Sequence, residues 1–212
     1  MVIDRWECRA ISCSSSWLLV YGRRKTGKTF LLQRCLGWDL YVTVTRTRSC
    51  VVDSGEGPSL MGLELCMRRA VDVVSSGGTV VIDEFQRLPD EYWELIAAAR
   101  SRDGRAVLCG SSVGIASRVF DRRSPLLGLL EPLHIDLASA EDTVASLAQH
   151  LGPRDAVLWA VIARDPWILG LLEPAGAPWR VIASRARSLV PIAVSLVGEV
   201  FTEEEKLSLI HI

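Results

Sequence analysis

The sequence predicts an α/β fold built on a parallel sheet, and three observations predict it. From Trp17 to Asp136, short apolar runs alternate with helical patterns, the signature of strands joined by crossover helices. Gly22-Arg23-Arg24-Lys25-Thr26-Gly27-Lys28-Thr29 fills the pattern G-x-x-x-x-G-K-[ST]. It lies between the apolar run Trp17-Leu18-Leu19-Val20-Tyr21 and an apolar helical stretch that begins at Phe30. Finally, Thr79-Val80-Val81-Ile82-Asp83-Glu84 reads as a buried strand ending in two adjacent acids. With 212 residues, 49% of them hydrophobic, the chain is long enough for one such core and a small appended domain.

In order, strands are expected at 17–21, 40–44, 79–83, 106–109 and 133–136, and helices at 28–36, 59–74, 92–100 and 111–119. Asp90 stands ahead of the third helix and Ser111 opens the fourth, both residue types that cap helices. Past Asp136 the strand pattern stops. Ser139-Ala140-Glu141-Asp142 resembles a capping box opening a helix to about Leu151, and Gly152-Pro153 breaks it before another over 154–164. A further helical region follows Asp165-Pro166, punctuated by Pro174, Pro178 and Pro191. The expected division is an α/β domain over 1–137 and a helical lid domain over 138–212, the latter containing a truncated winged-helix region as one option.

The glycine-rich turn is a phosphate cradle. Gly22 and Gly27 let backbone N–H groups approach phosphate oxygens where a Cβ would block them, at the N-terminus of a helix that favours anions. Arg23, Arg24, Lys25, Thr26 and Phe30 flank that approach as further binding candidates. Lys28 is placed to reach the β- and γ-phosphates, and the Thr29 hydroxyl to ligate Mg²⁺. Asp83, at a strand's carboxyl end, fits the second metal contact, and Glu84 fits a general base for an attacking water. Ser111 closes the strand over 106–109, where a hydroxyl can sense a γ-phosphate or simply cap the next helix.

Gly22-Arg23-Arg24-x-x-Gly27-Lys28-Thr29, Val81-Ile82-Asp83-Glu84-Phe85-Gln86, Gly110-Ser111-Ser112-x-Gly114 and Ser124-Pro125-Leu126-x-Gly128 occur in that order. This series resembles the archaeal AAA-type P-loop ATPases related to the STAND (signal-transduction ATPase with numerous domains) group, over about 2–172. The resemblance implies a P-loop NTPase sheet (ASCE/AAA-like, order 5-1-4-3-2) with a small C-terminal helical lid, an ATP site and Mg²⁺. It implies that Ile3-Asp4-Arg5-Trp6-Glu7, and Asp4 and Arg5 within it, help to close over the adenine, and that 161–172 is the lid segment. Two departures stand out. Relatives follow Ser-Pro-Leu-x-Gly with an arginine that approaches the γ-phosphate, whereas Leu129 follows Gly128 here, leaving Arg118, Arg122 or Arg123 as substitutes. Such an arginine is worth about 10³–10⁵ in rate, so its loss predicts slow hydrolysis. Relatives also carry a C-terminal winged-helix or nuclease-like region, and the match fades past about Pro174.

Composition narrows the remaining classes. A net charge of −1 and a pI near 6.3 give no basic footprint for nucleic acid, so DNA is a weakly supported partner beside an unknown protein or a second copy. Lys25, Lys28 and Lys206 are the only lysines, a bias that hints at a GC-rich or heat-adapted host. The 6 cysteines form no C-x-x-C pair; Cys35, Cys66 and Cys109 read as buried small hydrophobes, and Cys8 with Cys13 is the pairing open to a thermophile. The 3 histidines, His134, His150 and His211, are dispersed and suggest no metal site. No signal peptide is expected at the start, where Asp4, Arg5, Glu7 and Arg9 interrupt any apolar run, and 189–201 reads as too short to span a bilayer. A cytoplasmic protein is therefore expected.

The function expected is an ATP-binding, Mg²⁺-dependent ATPase acting as a slow molecular switch, with Glu84, Lys28 and Ser111 as its reactive set. The alternative is an ATP-loaded binding module for a protein or DNA partner with negligible hydrolysis. A small-molecule kinase would need an acceptor pocket that no residues indicate, and a GTPase would need an Asn-Lys-x-Asp segment that is absent.

Overall fold

The computed structural model describes residues 1–101, 103–111 and 113–210, for the backbone only at 113 and 199–210. Its chain divides into two compact units. One comprises Cys8–Gly22 and Lys28–Ile135; the other comprises Met1–Glu7, Arg23–Gly27 and Asp136–Ile212. The late part of the chain thus changes unit at Asp136, and the smaller unit also takes in the N-terminal box and the middle of the glycine-rich loop.

In chain order the larger unit carries α1 (Trp6–Cys13, from Cys8 onward), β1 (Leu18–Tyr21), α2 (Lys28–Cys35), β2 (Leu40–Val44), β3 (Ser49–Asp53) and β4 (Ser59–Gly62). It continues with α3 (Leu63–Ser75), β5 (Thr79–Asp83), α4 (Glu91–Ala98), β6 (Arg105–Gly110), α5 (Val113–Val119) and β7 (Glu131–His134). The 7 strands form one sheet in the order β4-β3-β2-β5-β6-β1-β7. Neighbours from β2 through β7 run parallel, and β3 and β4 add an antiparallel edge. The five strands expected from the sequence occupy β7-β1-β6-β5-β2.

The edge hairpin replaces part of an expected helix. Residues 59–62 pair with β3, Val51 against Leu60, and the helix starts only at Leu63. The turn before them explains why. Gly55 and Gly57 adopt φ of 93° and 106°, and both donate their N–H to Asp53 Oδ1 at 2.8 and 3.3 Å. That reversal brings Ser59 beside Val52, where strand pairing satisfies backbone groups that a helix's first turn would leave open.

Central strands are buried on both faces, as parallel sheets require. Leu19, Val42, Val80, Ile82, Ala106 and Leu108 join one core with Met67, Trp93 and Ile115 from α3, α4 and α5. Leu18, Val20, Tyr41, Val81, Val107 and Cys109 face the other way, against Ile11 of α1 and Leu31 and Leu32 of α2. Burial, and then the nearby Asp83 charge, push the Cys109 thiol up, so it behaves as the small hydrophobe expected.

Cys35 does not. It forms a disulfide with Cys8, joining α1 to α2, while Cys13 is free and exposed. The pairing lies between helices that meet only in the fold, which is why adjacent Cys13 looked the nearer partner. With the cysteines 27 positions apart in sequence, loop closure alone predicts stabilisation of about 3.5 kcal/mol. Reduction with a dithiol should lower the unfolding midpoint accordingly, and Cys35→Ser should make the midpoint insensitive to reductant.

The smaller unit is helical: α6 (Ala140–Ala148), α7 (Pro153–Ala163), α8 (Pro166–Leu169) and α9 (Pro178–Ile210). The Ser139 side chain accepts the Asp142 N–H at 2.9 Å, the cap its sequence predicts. Asp90, by contrast, makes no cap bond at α4; its carboxylate takes Arg118 instead. Ile3, Ala138, Leu147, Ala156, Trp159, Ala163 and Leu172 form the unit's core, with Trp159 Nε1 donating to Gly176 O at 2.8 Å. Pro191 does not end α9. The apolar stretch therefore runs longer than expected: Pro178–Gly198 is long and apolar enough to cross a membrane by length and composition, with mean hydropathy 1.4 and 6% of the window buried.

Candidate active site

Strand register brings the expected residues to one edge of the larger unit's sheet. Tyr21 pairs with Gly110 and Ile82 with Leu108, so Gly22, Asp83-Glu84 and Ser111 all emerge at the carboxyl ends of β1, β5 and β6. Ligands gather at that edge in open α/β sheets.

Gly22 is required where it stands. Its φ is 146°, and a Cβ would lie 2.1 Å from the Ile135 carbonyl oxygen. Lys28 opens α2, only 6% exposed, and its Nζ donates to Gly22 O at 2.9 Å. Beside it the Thr29 hydroxyl donates to Asp83 Oδ2 at 2.7 Å. Tyr41, from β2, donates its phenol to the same oxygen at 3.0 Å. Burial, reinforced by the Asp83 charge, pushes the Tyr41 phenol far up, so it stays a neutral donor. Phe30 is exposed on the first turn of α2.

A hydroxyl and a carboxylate as neighbouring hard oxygen donors fit Mg²⁺, which keeps waters and phosphate oxygens as its other ligands. Among the described residues no group of three or more His, Cys, Asp or Glu gathers to hold a metal ion by itself.

Glu84 adopts the left-handed conformation, φ 57°, costly for a non-glycine residue. Its Oε2 accepts from Gln86 Nε2 at 2.7 Å and from Arg87 at 2.8 Å. Gln86 Nε2 also donates to Ser111 Oγ at 3.0 Å, and the Ser111 N–H returns a bond to Gln86 Oε1 at 3.3 Å. Ser111 is buried and thus meets Glu84 through Gln86. Ser112 lies outside the described residues.

The substitutes for the missing arginine are otherwise engaged or exposed. Arg118 pairs with Asp90 and stacks 4.8 Å over Trp93, while Arg122 and Arg123 are exposed. Leu129 packs against the sheet's core.

In the smaller unit, Lys25 and Gly27 adopt left-handed φ of 64° and 89°, the alternation that turns successive N–H groups toward an anion. Thr26 is fully buried and donates to Arg23 O at 2.9 Å. Arg23 pairs with Asp165 at 2.8 Å. Arg24 is half-buried and Lys25 exposed. Arg5 is buried, paired with Glu7, and donates to the carbonyls of Thr26 and Asp136 at 3.0 and 2.9 Å. Its guanidinium therefore braces the loop backbone, while Asp4, exposed, donates its N–H to Ser146 Oγ at 2.9 Å.

Sequence reasoning missed Tyr41, Gln86 and Arg87. A tyrosine inside a strand carries no mark that separates it from core. Gln86 and Arg87 directly follow the acids, and that adjacency was the available signal.

No model of a known protein family matches this chain, and no curated protein matches it in sequence. Solved structures do. A STAND protein with a tetratricopeptide repeat sensor from Pyrococcus horikoshii superposes with a TM-score of 0.52 at 13% identity, covering 87% of this chain and 32% of its own. The ORC1 protein of Aeropyrum pernix, in complex with DNA, gives 0.45 at 18% identity over 85% of this chain and 64% of its own. The ORC2 protein of Aeropyrum pernix in its ADP form gives 0.47 at 18%, over 76% and 58%. This chain thus spans about a third of the length of the first of these. It shares its fold with that STAND protein.

Proposed function

We propose that this chain is an ATP-binding, Mg²⁺-dependent ATPase that turns over slowly and serves as a nucleotide-driven switch. The observation that carries the reading is the Thr29–Asp83 hydrogen bond beside buried Lys28, directly after a glycine-rich turn whose φ values suit anion binding. The P-loop fold shared with the Pyrococcus ATPase supports it.

Lys28 would exchange Gly22 O for the β- and γ-phosphate oxygens, and loop N–H groups would take the remaining phosphate oxygens. Thr29 and Asp83 would hold Mg²⁺, which would supply charge neutralisation to the phosphates. Glu84 would orient a water and take its proton as the water oxygen bonds the γ-phosphorus and the bond to the bridging oxygen breaks, leaving ADP and phosphate. Gln86 and Ser111 would hold Glu84 and the γ-phosphate side of the site in register.

Single-turnover hydrolysis tests this. The wild type should release phosphate slowly, and Glu84→Gln should lower that rate by about 10²-fold while ATP binding persists. Phosphate release that ignores Glu84 contradicts the hydrolytic half. Tyr41→Phe, which removes one donor from Asp83, should raise the Mg²⁺ concentration needed for half-maximal ATP binding about tenfold, read by titrating Mg²⁺ at fixed ATP.

A second reading, an ATP-loaded binding module, is favoured by Leu129, which packs against the core where the relatives carry an arginine, and by the two donors already on Glu84. Partner capture lost in Lys28→Ala and kept in Glu84→Gln, together with no turnover in the wild type, would favour it.

A further inference from the structure

The helix α9 is apolar and yet largely uncovered. It packs on its unit's core through Val181, Ile182 and Leu189, all in its first half. Beyond Leu189, Val190, Ile192, Val194 and Val197 are 58%, 37%, 65% and 54% exposed. With about 3.6 residues per turn, Val190, Val194 and Val197 share one side of the helix and Ile192 lies on nearly the opposite one. Ser195 is the one hydroxyl in 190–198, and that stretch carries no charge. A helix apolar on every side is stable where water is excluded all round it. One partner helix would cover a single stripe and leave either Ile192 or the valines wet, whereas fluid acyl chains cover every side. From Pro174 to Gly198 all charge is positive: Arg180, Arg185 and Arg187, each exposed. Trp179, also exposed, adds an amphipathic ring at the same end of the helix, the kind of side chain that settles at headgroup level.

We propose that α9 docks this protein on a membrane surface rich in anionic phospholipid, with 190–198 in the headgroup–acyl boundary and Arg180, Arg185 and Arg187 among the headgroup phosphates. Complementary charge selects the lipid. One cation beside an anionic leaflet is worth about fivefold in partitioning, so three together approach 10²-fold, an order-of-magnitude figure. Their long stems let the guanidiniums reach headgroup oxygens while the backbone lies deeper. The same arginines argue against a span. Pro178–Gly198 has the length of one, but Arg185 and Arg187 would sit inside it. The uncharged run between Arg187 and Glu199 is about half of the ~20 residues that cross a bilayer. A run of that length, with cations at its start, lies in the interface instead. Docking of this kind requires no turnover of ATP, so it stands or falls apart from the reading above.

The test is cosedimentation of the full chain with vesicles of phosphatidylcholine alone and of phosphatidylcholine with about 30% phosphatidylglycerol. Wild type should bind the anionic vesicles saturably and at least about tenfold more tightly than the neutral ones, and about 0.5 M salt should weaken that binding. Combining Arg180→Gln, Arg185→Gln and Arg187→Gln should bring anionic binding down to the neutral level. Val190→Asp with Val194→Asp should cost at least about 10²-fold in binding, and since both valines are exposed its thermal melt should match wild type. Wild type that ignores the anionic vesicles overturns the proposal. Anionic binding that survives Val190→Asp with Val194→Asp overturns it too, because adsorption by charge alone leaves the helix out of the boundary. A lipid-free dimer in light scattering that the valine variant dissociates, with no vesicle binding, assigns the face to a second copy and likewise overturns the docking.

Discussion

Gly22→Ala should destabilise the larger unit by more than about 4 kcal/mol, the tail reserved for backbone clashes that cannot relax. An alanine there would adopt a φ of 146° with its Cβ 2.1 Å from the Ile135 carbonyl oxygen. Neither side can give way. Ile135 is fully buried, and its N–H donates to Tyr21 O at 2.8 Å, locking the two segments at the separation that excludes a methyl group. Gly37→Ala supplies the control, since a Cβ at that position meets nothing within 4 Å. Urea midpoints should separate the two variants clearly, with Gly37→Ala within about 0.5 kcal/mol of wild type.

Lys28→Ala should weaken ATP binding by at least about 10²-fold, or about 2.7 kcal/mol, while leaving the fold intact. Lys28 is 6% exposed as a residue, so its charge acts where water screens it little. Its bond to Gly22 O holds the side chain beside the end of β1 rather than out in solvent. Lys28→Arg should rescue poorly, since a planar fork does not fit a space shaped for a point charge. Titration with a fluorescent ATP analogue reads the affinity, and a thermal melt reads the fold.

The larger unit was readable wherever local pattern and tertiary context agreed. β2 and β5 have the expected bounds, because each is an apolar run punctuated at both ends. The β3–β4 edge was not readable. Leu60, Leu63 and Met67 keep helical spacing across what is a strand, a turn of direction at Gly62 and then α3, and the deciding interaction is the Asp53 turn several residues earlier. Pro191 reads as punctuation of the late helical region because proline disrupts most helices, yet α9 runs through it. The Cys8–Cys35 bridge required knowing that α1 lies against α2.

Within the site, Lys28, Thr29 and Asp83 followed from motif and spacing, and the structure brings them together as that spacing implies. Tyr41 joins them only because β2 is the strand beside β5, a fact of topology rather than of sequence. Arg5, placed near a base by the resemblance, donates to the backbone of Thr26, a bond that no motif announces. The restraint on Glu84 was invisible for a different reason. An acid followed three residues later by an arginine is common, and here the two pair across the left-handed turn at Glu84 itself.

The central claim is that this edge of the sheet binds ATP with Mg²⁺ through Lys28, Thr29 and Asp83. Calorimetric titration of the purified chain with ATP, in Mg²⁺ and in excess chelator, tests it most directly. Saturable one-to-one binding in Mg²⁺ that weakens strongly in chelator is expected. Binding that is absent, or equally tight without the metal, would contradict it.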